Sequence, residues 1–148
     1  DALLIDFAIR CDGYYSDITR TVFLERVEDA DRAVYETVLE ANRLGREIAA
    51  PGMAAGDLDD AVLRVLERSP FARFIMHKTG HGLGLDVHEP PMVMRGNRQE
   101  LRPGHVLTIE PGLYDPSRLG VRIEDDVLIT ATGCETLTSF PRELTIVG

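Results

Sequence analysis

The sequence has no tryptophan and only two cysteines, with four Tyr and five Phe. Cys11 and Cys134 cannot build a disulfide framework, which excludes a small cross-linked secreted scaffold and favours the reducing cytoplasm. No apolar run approaches the ~18 residues that a membrane helix requires, and no signal peptide heads the chain, so a membrane partner is not expected. Positive charge is scarce: 16 Lys+Arg face 25 Asp+Glu, a formal charge of −9. A nucleic-acid binder needs a basic stripe, so that class is excluded as well. Repeats, low-complexity tracts and linkers are absent. What is present is the mix of a globular domain, 148 residues with 44% hydrophobic and 28% charged, enough to bury roughly two-thirds of its unfolded surface. The chain starts at Asp1 and runs at once into a strand pattern, as if cut from something longer.

Strand and helix periods divide the chain. Ala2–Arg10 and Gly13–Leu24 read as a β-hairpin turning at Asp12-Gly13, since Asp-Gly supplies positive φ values. Val34, Val38, Ala41, Leu44 and Ile48 predict a helix from Asp29 to about Ala50, capped by Asp29 or Asp31 and ended by Pro51-Gly52. A second helix is expected over Asp57–Arg68. Strands are predicted at Arg73–Met76, His105–Glu110, Gly120–Thr130, Glu135–Ser139 and Glu143–Val147, with a Gly-rich stretch at Gly80–Leu85. The order makes one α+β unit over residues 1–148.

Asp6 and Asp17 sit in hairpin segments that otherwise read as buried. A hairpin with an even-numbered loop pairs positions of odd sum, so both carboxylates share one face. Two like charges there need a cation, a proton or an arginine between them, unless both are exposed edge residues. Arg20 is near in sequence but faces the other way. Three of the four histidines, His77, His81 and His88, bracket Gly80, Gly82 and Gly84. These glycines would let backbone approach a ligand or metal. A dinucleotide loop is excluded by the spacing and by Pro90-Pro91 where its helix should run. H-E-x-x-H is absent too. A histidine-rich loop satisfied by ordinary hydrogen bonds remains the plain alternative.

Glu110 and Glu124 each end or interrupt an apolar strand run, and Pro111 lets the Glu110 side chain turn into a cleft. Asp125 takes the face opposite Glu124 and Asp126, and the two aspartates read as a solvated patch or a minor supporting pair. Four carboxylates and one imidazole suit Mn²⁺, Co²⁺, Fe²⁺ or Zn²⁺ better than a Cys-type site. Five ligands exceed what one open catalytic ion takes but suffice for two ions ~3.5–4 Å apart.

Three motifs carry a resemblance: Ile5-Asp6 … Ser16-Asp17-Ile18-Thr19-Arg20-Thr21, then Gly80-His81-Gly-Leu-Gly … His88-Glu-Pro, then Ile109-Glu110-Pro-Gly-Leu-Tyr114 … Val121-Arg122-Ile-Glu124-Asp. In order and across nearly the whole chain they resemble the metallopeptidases of the pita-bread fold: methionine aminopeptidase, aminopeptidase P and prolidase. The resemblance implies Asp6, Asp17, His81, Glu110 and Glu124 as ligands of two divalent ions, Mn first and Co or Zn as alternatives, with Asp17 and Glu124 bridging. It implies a metal-bridged hydroxide as nucleophile, Glu110 as proton carrier, and His88 and His77 as hydrogen-bond donors to the carbonyl or substrate backbone. Tyr114 would line the cleft, and Arg122 would steady Asp17 or Glu124. His77, Arg20, Arg122 and the short interval from Glu110 to Glu124 resemble the prolidase and aminopeptidase P branch. That branch cleaves Xaa-Pro bonds in dipeptides or at peptide N-termini. Ala8 departs from the usual glycine. The family's catalytic domain is longer, so the chain is expected to be its C-terminal, metal-bearing part, and a homodimer would form through parts outside it. The competing expectations are methionine removal, a creatinase-like C–N hydrolase, or a binding module that has lost its ligands; here none is lost. Two divalent ions would offset four of the nine excess negative charges.

Overall fold

The computed structural model describes residues Asp1–Gly148. β1 (Ala2–Cys11) and β2 (Tyr14–Leu24) form the hairpin. Asp12 and Gly13 both take positive φ, 51° and 94°, as a two-residue turn of matching twist requires. The register pairs Asp6 with Thr19 and Ala8 with Asp17. Asp6 and Asp17 are therefore diagonal neighbours on one face, as their parity predicts, and Arg20 lies on the other.

α1 (Asp29–Ile48) and α2 (Ala55–Glu67) follow. The residue capping α1 is Glu28, without a side-chain cap bond. Asp29 and Asp31 lie inside the first turn and act instead through the helix dipole. The expected strand at Arg73–Met76 is a 3-10 turn over Ala72–Phe74. Phe71, Phe74 and Ile75 pack against the core there, and a three-residue period serves that better than alternation.

β3 (Gly80–Gly82), β4 (Glu89–Val93), β5 (Val106–Ile109), β8 (Asp125–Ile129) and β9 (Cys134–Thr136) make a five-stranded sheet in the order β4-β3-β5-β8-β9. β4 lies where the sequence predicts no strand, across Pro90-Pro91. It forms at the sheet edge, where a missing N–H costs least. The predicted strand Gly120–Thr130 is cut in two. β7 (Leu119–Arg122) pairs with β6 (Gly112–Asp115) in a separate ribbon, and β8 joins the sheet. The break falls at Ile123-Glu124, where the chain changes partner. β10 (Thr145–Val147) runs parallel to β2. The core lies between the helices and these sheets, with Val38, Leu58, Val62 and Leu66 against Leu107, Ile109, Ile123 and Val127, all fully buried. No helix is long and apolar enough to cross a membrane.

Candidate metal centre

Four pieces of backbone converge. β2 carries Asp17, β3 carries His81, the end of β5 carries Glu110, and the break between β7 and β8 carries Glu124. Donor atoms of Asp17, His81 and Glu124 all lie within 4.8 Å of one another, and the three residues are buried. His81 Nε2 is 3.2 Å from Glu110 Oε1 and 3.9 Å from Asp17 Oδ2. Asp6 sits on the rim, its side chain half exposed and ion-paired with Arg122. Four of the five expected ligands thus meet in one cluster, Glu110 partly buried beside the buried three and Asp6 at its edge.

Backbone chemistry decides how these groups face. Glu110 N–H donates to Thr79 O at 2.7 Å and Glu124 N–H to Thr19 O at 3.1 Å, tying each strand end to a neighbouring segment. His81 Nδ1–H donates to Gly82 O at 3.0 Å. The free lone pair is then on Nε2, which points at the Glu110 carboxylate. Burial depresses the His81 pKa to about 4, so at neutral pH the imidazole is uncharged and its lone pair faces the Glu110 carboxyl.

The carboxylates show the same imbalance. Burial pushes Glu124 up to about 8, with the Glu110 charge adding to it. Glu110 rises to about 7, again chiefly by burial, and Asp17 is raised by burial and by Asp6. A buried set of oxygen donors with one imidazole lone pair, short of positive charge, fits hard or borderline divalent cations. Asp17, His81, Glu110 and Glu124 would hold them, with Asp6 closing the rim.

Around this cluster the hydrogen bonds are specific. Thr19 Oγ1 donates to Glu124 Oε2 at 2.5 Å, and Thr108 Oγ1 donates to Glu110 Oε1 at 3.2 Å. Arg122 Nε donates to Thr19 Oγ1 at 3.0 Å and Nη1 to Tyr114 Oη at 2.9 Å. Its closest carboxylate is Asp6; Glu124 lies 3.9 Å away. Arg122 thus reaches Glu124 directly at 3.9 Å and through Thr19, as expected of a steadying residue, and pairs in addition with Asp6.

His77 Nδ1–H donates to Lys78 O and Nε2 accepts from Tyr114 O–H, both at 2.7 Å. A chain of fixed donors runs from Arg122 through Tyr114 to His77, and burial lowers the His77 pKa, keeping its imidazole neutral. Tyr114 lies over Gly112 and Gly120, where a Cβ would come within 2.5 Å of its hydroxyl and 3.0 Å of its ring. His88 is exposed, its ring 4.1 Å from that of His81.

Two readings change. A Cβ on Gly80 would lie 2.0 Å from Thr108 O, and one on Gly82 would lie 2.6 Å from Glu89 O. These glycines admit the backbones of β5 and β4 rather than a ligand. Asp125 and Asp126 are not a solvated patch, since both are buried. Asp126 Oδ2 accepts the Asp17 N–H at 3.0 Å. Asp125 is 2.7 Å from Arg20, 2.8 Å from Arg142 and 3.6 Å from Arg46. The sequence reading also missed Asn42 and Asp59, polar residues inside α1 and α2 with no exposed surface to speak of. Asn42 falls at the helical spacing of Val38 and Gly45, so a polar residue in an apolar stripe was the available signal. Asp59 Oδ1 accepts the Thr79 N–H at 2.7 Å, bracing the segment that leads into β3.

The profile of metallopeptidase family M24 matches residues 1–131, and the chain belongs to that family. It is 43% identical over 147 residues to a putative dipeptidase, YkvY, of Bacillus subtilis, covering 99% of this chain and 40% of that protein. It is 42% identical over 144 residues to an Xaa-Pro dipeptidase of Pyrococcus furiosus, covering 97% and 41%. Among solved structures, a prolidase from Pyrococcus horikoshii superposes with a TM-score of 0.94 at 41% identity, covering 97% of this chain and 41% of that one. An X-Pro aminopeptidase from Thermotoga maritima gives 0.95 at 36% identity, covering 99% and 41%. The fold is the pita-bread fold of these enzymes, and the chain spans about two-fifths of the length of the relatives it matches.

Proposed function

We propose that this chain carries the metal centre of an Xaa-Pro peptidase, in which Asp6, Asp17, His81, Glu110 and Glu124 would hold two divalent ions. The observation that carries the reading is the buried cluster of Asp17, His81 and Glu124, its donor atoms within 4.8 Å and short of positive charge. The Xaa-Pro dipeptidases and prolidases among the relatives support the substrate class. Manganese is the first choice of metal, since an oxygen-rich set with one imidazole suits it, and availability sets the ion in the cell.

Two bound ions would lower the pKa of a water that becomes the nucleophile and would polarise the scissile carbonyl. The chain's own residues do the rest. Glu110 would take up a proton from the attacking water and pass it to the leaving nitrogen. His88, exposed beside His81, donates to the developing oxyanion. His77 and Tyr114, held in one hydrogen-bonding pattern by Arg122, border the substrate backbone. An Xaa-Pro bond offers no N–H, so a site that asks for none there accepts what other peptidases leave.

The unit would belong to a longer catalytic domain. Leu3, Ile5, Phe7 and Ile9 leave one face of β1 apolar and about half exposed, which suits cover by further chain. A homodimer through such parts, and a cytoplasmic setting consistent with free Cys11 and Cys134, complete the proposal.

With Mn²⁺ added, the intact protein is expected to hydrolyse an Xaa-Pro dipeptide or an Xaa-Pro-Xaa tripeptide. An amino-acid release assay on both separates prolidase from aminopeptidase P activity. Removal of N-terminal Met with neither of these cut would replace the substrate assignment.

A further inference from the structure

Asn42 belongs to none of the roles above, yet it bonds the carbonyls of the residues immediately before two of the proposed ligands. It lies in the C-terminal half of α1 with no exposed surface. A buried amide is costly unless its donors and acceptor are matched, and here they are. Nδ2 donates to Ile109 O at 3.0 Å and to Ile123 O at 3.2 Å, while Oδ1 accepts from Arg46 Nε at 2.8 Å. The Arg46 bond can only be accepted, which settles which end of the amide faces the sheet.

The two carbonyls are those of the residues immediately before Glu110 and Glu124. At both places regular pairing runs out. Glu110 is one residue past the end of β5, and Ile123-Glu124 lie between β7 and β8. The Ile123 N–H reaches Pro111 O only at 3.4 Å. A single planar NH₂ group, with its two hydrogens at a fixed angle, therefore spans the short gap between the β5–β8 ladder, which ends at Ile109–Asp125, and the β6–β7 ladder, which starts at Gly112–Arg122. From the other side Arg20 Nη1 donates to Glu124 O at 2.6 Å, so the Glu124 backbone is gripped before and after its Cα.

We infer that Asn42 is a positioning residue of the metal centre, its amide setting the separation of the Glu110 and Glu124 carboxylates and thereby the affinity for the second ion. This rests on the metal-centre reading given above. Glu110 and Glu124 come from different strands, and an ion held by both is sensitive to their spacing. Outer groups of this kind typically change metal affinity by about ten- to a hundredfold when removed.

The test compares wild type, Asn42→Leu and Asn42→Asp by isothermal titration of Mn²⁺ into the intact metal-free protein, with the visible spectrum of the Co²⁺ form as a second readout. Asn42→Asp keeps the shape and the acceptor for Arg46 but has at most one hydrogen to offer, and only when protonated. The expected result is a loss of about ten- to a hundredfold in affinity for one ion in both folded variants, together with altered Co²⁺ bands. A purely structural role would lower the melting temperature and leave both affinities and the spectrum at their wild-type values, and that result overturns the inference. If wild type itself binds no divalent ion, the metal-centre reading fails first and the inference falls with it.

Discussion

Glu124→Gln is expected to abolish turnover and, at pH 8, to make the metal-free protein more stable. The two effects share one cause. The carboxylate is buried beside Glu110 and Asp17, and its folded-state pKa is pushed up to about 8 from 4.5. Such an acid holds its proton in the folded protein over a range where the unfolded chain has released it. Its contribution to stability is full below pH 4.5 and is lost as pH rises through 8, at up to about 1.4 kcal/mol per pH unit. Glu110 and Asp126, each raised to about 7 chiefly by burial, act in the same direction. His81, depressed to about 4, opposes them only below its unfolded value of 6.5. Between pH 6.5 and 8 the metal-free wild type should therefore lose stability steadily. Glu124→Gln removes the largest contributor while its amide oxygen can still accept from Thr19 Oγ1. Activity should fall on the order of a thousandfold, as several kcal/mol of Lewis-acid stabilisation would be lost with a proposed metal ligand. Thermal melts across pH, with and without Mn²⁺, check the first effect, and Xaa-Pro hydrolysis checks the second. A variant less stable than wild type at pH 8, or fully active, contradicts this account.

Asp125→Ala should unfold the protein more readily than any substitution at the surface. The carboxylate has no exposure and is shared by Arg20, Arg142 and, more distantly, Arg46. Arg20 Nε and Nη2 also hold the carbonyls of Pro141 and Phe140, and Arg142 Nη2 holds Thr138 O. One buried aspartate thus fastens the 138–142 segment to Arg20 of β2 and to the start of β8. Removing it leaves guanidinium groups in the interior without their counter-charge, at a cost of about 3–5 kcal/mol. By contrast, losing Glu47 from the exposed Arg43–Glu47 pair should change stability by less than about 1 kcal/mol. Urea denaturation of both variants measures the contrast. A loss below 1 kcal/mol for Asp125→Ala would show that the arginines find compensation elsewhere.

The sequence was most informative where local rules act alone. The Asp12-Gly13 turn sets the hairpin register, and the register puts Asp6 and Asp17 on one face and Arg20 on the other. The helices were legible from their apolar period. What could not be read depended on partners distant in sequence. No local signal shows that an apolar run from Gly120 to Thr130 must break at Ile123-Glu124, because the break exists to exchange β6 for β5 as partner. The reach of Arg122 to Asp6 depends on how the β6–β7 ribbon crosses the hairpin. Asp125 and Asp126 looked like solvated acids because the arginine and the Asp17 amide that satisfy them come from β2, over a hundred residues earlier. Gly80 and Gly82 were correctly read as sites of close approach, but the approaching group is the neighbouring strand.

The central claim is that this chain's carboxylates and His81 hold two divalent ions. Equilibrium dialysis of the intact protein against Mn²⁺, followed by elemental analysis, tests it directly. The account predicts two ions per chain at saturation in wild type and fewer than two in Glu124→Gln. Saturation at one ion or none in wild type would contradict it.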